Sequence, residues 1–96
     1  MASVIVTLKI MPSSPEANLE EIYQEAGKHI RDFVDQKHKD GEIRKEIEPI
    51  GFGLKALKLL FVMDENIGTT DKLEEQIKKI QGVESVEATD VRRAVG

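Results

Sequence analysis

The chain contains no cysteine and no tryptophan. Without thiols there is no disulfide framework, no thiolate metal site and no cysteine nucleophile, and such a composition fits a reducing cytoplasm. Aromatic residues are scarce: three Phe and one Tyr in 96 residues mean that any core must be mostly aliphatic. Proline is confined to Pro12, Pro15 and Pro49, too few for a proline-rich linker. Long apolar runs are also missing, because the longest, Leu57 to Met63, is interrupted by Lys58 and is far too short to cross a bilayer. Met1-Ala2-Ser3 leads straight into a strand-like pattern with no basic start or cleavage site, so a cytoplasmic protein without leader or membrane span is expected. Nor does one sign of charge dominate. Fourteen basic and 18 acidic residues give a net charge of -4, which disfavours a phosphate-driven grip on bulk nucleic acid.

What is present suits one small domain spanning residues 1–96, with 40% hydrophobic and 33% charged residues. Val4 to Met11 is rich in β-branched residues and puts Val4, Val6, Leu8 and Ile10 on one face of a strand. Pro12-Ser13-Ser14-Pro15 breaks it, and Asn18 with Glu21 three residues on forms a capping-box-like helix start. Leu19, Ile22, Tyr23, Ala26, Ile30, Phe33 and Val34 recur at helical spacing, which predicts a helix from Asn18 to about Lys37, with Asp40-Gly41 ending it. Ile43 to Ile50 mixes Ile with charges and includes Pro49, the pattern of an edge strand. Leu54 to Met63 is the strongest strand, with Leu57, Leu59, Phe61 and Met63 facing one way and Ala56, Lys58, Leu60 and Val62 the other. After a loop from Asp64 to Thr69, Thr70 or Asp71 can cap a short helix facing inward through Leu73, Ile77 and Ile80 and stopped by Gly82. A last strand is expected from Val83 to about Val91. The order predicts an α+β, ferredoxin-like βαββαβ two-layer sandwich, with two helices on one face of an antiparallel sheet of order 4-1-3-2.

Catalysis by the chain itself finds little support, and neither a cofactor nor a metal is expected. The two histidines fall on the same predicted helix, His29 flanking its apolar stripe and His38 near its end, and nine residues apart they cannot pair as metal ligands do at i and i+4. Glu20-Glu21 and Glu74-Glu75 sit where negative charge suits a helix N-terminus. Gly51-Phe52-Gly53 lacks the third glycine and the helix of a dinucleotide site, and no phosphate-binding Gly-Lys-Ser/Thr loop exists. The open sheet face would show Ile5, Thr7, Lys9, Ala56, Lys58, Leu60 and Val62, with no ring on which a base could stack. A half-apolar open face and a loop aromatic both suit contact with another protein.

The most telling residues are Glu48 to Leu57, where Pro49, Gly51 and Gly53 bracket Phe52 just before the strongest strand. Two readings of Phe52 stand side by side: a knob aimed at a partner, or a ring folded back to close one end of the core. Pro49-Ile50-Gly51-Phe52-Gly53-Leu54-Lys55-Ala56-Leu57, Ile67-Gly68-Thr69, Leu73-Glu74-Glu75-Gln76-Ile77 and Val86 to Arg93 resemble the guanine-nucleotide exchange domain of the elongation factor 1-beta family. The Ile10 to Pro15 segment and the Thr89 to Arg93 ending look like its archaeal form, which consists of this domain alone. The resemblance implies a non-enzymatic factor that promotes GDP release from the GTPase elongation factor 1-alpha, with Phe52 inserting into an apolar pocket of that partner. Gly51, Gly53 and Lys55 would share the contact. Eukaryotic members use a Lys next to the C-terminus to disturb the magnesium and phosphate region. This chain ends Arg92-Arg93-Ala94-Val95-Gly96, so no residue matches that Lys by motif, and Arg92 and Arg93 are the charges on offer, expected in a tail beyond the last strand. The alternative function is a small regulatory or ribosome-associated binding module that uses the open sheet face.

Overall fold

Alternating apolar residues at the start of the chain make a strand that is buried on one face throughout, and this strand organises the molecule. In the computed structural model, which describes residues 2–94, β1 spans Ser3–Pro12 and buries Val4, Val6, Leu8 and Ile10. It is followed by helix α1 (Leu19–Phe33), β2 (Arg44–Gly51), β3 (Leu54–Asp64), α2 (Asp71–Lys78) and β4 (Val83–Arg93). Two short 3-10 turns, Gln36–His38 and Glu65–Ile67, lie between them. The sheet order is β2-β3-β1-β4 with every pairing antiparallel, which is the expected 4-1-3-2 read from the other edge.

The apolar β1 and β3 are central, and β2 and β4 are the edges. Leu57, Leu59, Phe61 and Met63 pack with the β1 residues against Ile22, Ala26 and Ile30 of α1 and Leu73 and Ile77 of α2. Both helices therefore lie on one face of the sheet. No residue of β2 is buried; it is held by its ladder to β3, by the Lys45 ammonium 2.6 Å from Glu20, and by that ammonium 4.8 Å from the centre of the Tyr23 ring.

Three expectations need correction. Helix α1 stops at Phe33, not near Lys37, because Asp35 is drawn into a long-range contact. Its carboxylate accepts the Asp64 amide at 2.8 Å and the His38 ring at 2.8 Å, so the chain turns extended at Val34 although that side chain remains buried. His38 consequently leaves the helix that carries His29 and is mostly buried, with Ser3 Oγ 3.3 Å from Nε2. Second, Arg92 and Arg93 are strand residues: they pair with Ile5 and Val4, and the Ala94 amide donates to the Ser3 carbonyl at 2.8 Å. Third, Ala56 faces the open side yet is fully buried. Glu48, directly opposite it, reaches Lys9 at 3.4 Å and Lys58 at 2.9 Å, so an ion-pair bridge crosses three strands at that point. Val95 and Gly96 of the expected tail lie outside the described residues.

Candidate functional site

Strands β2 and β3 are joined by only two residues, Phe52 and Gly53, with Gly51 paired to Leu54 beneath them. Two-residue hairpins match the right-handed twist of their strands through type I′ turns, which need positive φ at both central positions, or type II′ turns, which need it at the first. Phe52 has φ 54° and Gly53 has φ 80°, and Gly51 before them stands at φ 128°. Glycine tolerates this region, whereas a bulky residue in the left-handed conformation is disfavoured by roughly 1–2 kcal/mol. Phe52 is the only non-glycine residue with positive φ among those described. It is also wholly exposed, at 103% of its reference area, so the ring does not fold back onto the core. An aromatic is thus held outward at a position that local energetics would assign to Gly or Asn. Strain of this kind persists where the surrounding structure enforces it, and it concentrates at contact and catalytic sites.

The surroundings of the tip are asymmetric. A side-chain carbon placed on Gly51 would meet nothing within 4 Å, whereas one on Gly53 would lie 3.7 Å from Cβ of Pro15. A groove of about 210 Å³ runs between the β1–α1 loop and the base of the hairpin, with Pro15 and Leu19 beside Gly53 and the exposed Lys55. Ile47 and Ile50 of β2, both over two-fifths exposed, add apolar surface to this hairpin. Neither was singled out from the sequence, although the edge-strand pattern of their segment was the available signal.

Gly51, Phe52, Gly53 and Lys55 therefore come together at one end of the sheet, and Arg92 and Arg93 do not join them. Arg92 is level with Ile5 and Val62, and at about 3.3 Å per residue the interval from Leu54 to Val62 puts it about 26 Å away along the sheet. The two arginines also point to opposite faces, as neighbours on a strand must. Arg92 Nε donates to Asp90 at 2.7 Å, and Arg93 lies 3.3 Å from the Glu65 carboxylate in the turn after β3.

Glu48, Lys58 and Asp35 are engaged structurally. Lys58 and then Lys9 hold the Glu48 carboxyl below its usual range, and Glu48 in turn raises Lys58. Burial alone would raise Asp35, but hydrogen bonds from the Asp64 amide and the His38 ring outweigh it and leave the group lowered. Ser3, His38 and Asp35 line up in the order of a hydrolytic triad. Asp35 also binds the Asp64 backbone, which makes the array a clamp fixing the Gln36–His38 turn onto the end of the sheet. Among the described residues, no cluster of His, Asp and Glu has the makings of a metal site, and no helix is long and apolar enough to cross a membrane.

Fold and tip together define a ferredoxin-like domain that carries its distinctive side chain outward on a hairpin. The sequence profile described as the EF-1 guanine nucleotide exchange domain matches residues 5–94. The chain is 43% identical over 94 residues to the elongation factor 1-beta of Sulfurisphaera tokodaii, with 97% of each chain covered. It is 40% identical over 93 residues to the elongation factor 1-beta of Methanothermobacter thermautotrophicus, covering 97% of this chain and 98% of that one. Identity to the protein of the same name from Saccharolobus solfataricus is 43% over 94 residues. The chain belongs to the EF-1 guanine nucleotide exchange domain family, and its role is guanine-nucleotide exchange in translation elongation. The resemblance carried by Pro49 to Leu57 is thereby borne out for the family.

Proposed function

We propose that the protein acts in the cytoplasm as a non-enzymatic factor that promotes exchange of GDP for GTP on elongation factor 1-alpha, with Phe52 seated in an apolar pocket of that GTPase. The observation that carries this reading is the fully exposed Phe52 ring held in a left-handed backbone conformation. Exchange follows from linkage: a factor that binds the nucleotide-free GTPase better than the loaded one weakens nucleotide binding by the same factor. A thousandfold faster release corresponds to a barrier lowered by about 4 kcal/mol. A buried aromatic anchor supplies roughly 2 kcal/mol or more of that. The open sheet face is a weaker candidate for the contact, because its central charges Lys9, Glu48 and Lys58 already satisfy one another.

The test is release of fluorescent GDP from elongation factor 1-alpha, with the parent protein and with Phe52→Ala. The parent should accelerate release, and Phe52→Ala should lose at least about 30-fold of the effect, the equivalent of a 2 kcal/mol anchor. A parent without effect overturns the exchange assignment. A Phe52→Ala variant as fast as the parent removes the ring from the mechanism.

A further inference from the structure

A ring presented by three successive residues of positive φ, with glycine on either side, has no side-chain neighbour of its own on the turn to hold it. The strand leading into it offers little help, since β2 is an edge strand without a buried residue. Support has to come from outside the hairpin. On the Gly51 side the space is open, but on the Gly53 side the Pro15 ring stands next to the turn, with its Cβ and Cγ 3.7 and 3.9 Å from where a side chain would begin. Pro15 is itself well placed to act as a stop. Its φ is fixed by the ring. The loop that carries it is anchored at both ends: the Ser13 amide donates to the Gly82 carbonyl at 2.8 Å, and Asn18 caps α1 by accepting the Glu21 amide at 3.1 Å. Between these anchors the Ala17 amide donates to the Ser14 carbonyl, so the loop is a closed turn and not a loose connection.

We infer that Pro15 is a positioning residue for Phe52: a rigid stop beside Gly53 that limits how far the tip leans toward α1 and so presents the ring in one orientation. The inference rests on the proposed role of Phe52 in exchange. Pro15 is exposed and absent from the core, so its effect on exchange runs through the tip and not through core packing. Without the stop, the tip samples more orientations, and binding must order it. Fixing the backbone of about one residue corresponds to about a five- to thirtyfold loss in exchange, expected as a higher half-saturating concentration of the factor with an unchanged maximal rate.

Two measurements on Pro15→Gly decide the matter, with Pro15→Ala expected to be intermediate and available if the glycine variant folds poorly. In the first, ¹⁵N relaxation of the free protein reads the Phe52 amide, whose order parameter should fall from the range of rigid backbone to below about 0.6. The second is a double-mutant cycle with Phe52→Ala, in which Pro15→Gly should slow exchange in the parent and have no further effect once the ring is gone. An unchanged Phe52 order parameter overturns the inference, as does an equal loss of exchange in both backgrounds. If Phe52→Ala alone exchanges normally, the proposed role of Phe52 fails, and the relaxation measurement still decides whether Pro15 holds the tip.

Discussion

At the scale of single residues, Phe52 opposes local stability to contact. Asn is the non-glycine residue best suited to positive φ, and Asn-Gly is a favoured pair for such turns. Phe52→Asn should therefore stabilise the domain by about 1 kcal/mol, raising Tm by about 4–8 °C at this size, while GDP release from the GTPase slows as in the alanine variant. A calorimetric Tm at or below the parent's would show that the left-handed Phe carries no strain. Asp35 predicts a pH effect. Its carboxyl is lowered in the folded protein, so its contribution is complete above the ordinary carboxylate range and is lost as pH falls below about 4. The stability gap between the parent and Asp35→Asn should thus be constant above about pH 5 and shrink toward pH 2, as read by urea unfolding at each pH. A gap independent of pH would mean that charge at Asp35 does not matter. This residue also shows where the sequence was silent. Periodicity carried the apolar stripe through Phe33 and Val34, but the bond from the Asp64 amide to Asp35 spans 29 positions and no local pattern records it.

At the scale of elements, the strands were the legible part, because alternation is a local property and β1 and β3 alternate cleanly. Leu59 tests their register directly. It is fully buried opposite Leu8, so Leu59→Ala should cost roughly 2–5 kcal/mol. That is a large part of the 5–15 kcal/mol typical of a folded domain, and thermal unfolding should show a drop of many degrees. An unchanged midpoint would contradict the pairing. Strand β4 was legible only in part. Val83, Val86 and Ala88 pack partly buried against the core, but from Thr89 onward no apolar residue of the strand joins them, and it persists to Arg93 through its pairing with β1, a partner some eighty residues earlier. The hairpin tip was legible as a turn from its glycines and Pro49. The approach of Pro15 to Gly53 was not, since it depends on how two loops meet in space.

At the scale of the whole molecule, extents of 43 × 22 × 20 Å make this an elongated body with Phe52 near one end and the arginines toward the other. A partner that engages both must offer two sites roughly as far apart as the sheet is long. Because Arg92 and Arg93 diverge, one partner surface can face only one of them squarely. Arg92, paired within its own strand, is the freer to be redirected, whereas Arg93 holds Glu65. Replacing either with Ala should cost less than about 1 kcal/mol, as exposed ion pairs do. Arg92→Ala should slow GDP release at low salt, with the difference shrinking as salt is raised, and Arg93→Ala should not. An Arg92→Ala rate indistinguishable from the parent's at low salt would remove Arg92 from the contact, and equal slowing by Arg93→Ala would contradict the choice between the two. One further consequence lies in the central position of the first strand. β1 is flanked by β3 and β4, so one of its two ladders waits for the strand most distant from it in sequence, and Val4 meets Arg93. The sheet is therefore complete only once its most widely separated strands, β1 and β4, have met. Moving the termini into the turn after β3 and joining the present ends would convert that longest closure into a hairpin, and stopped-flow refolding of the permuted chain should be faster than that of the parent.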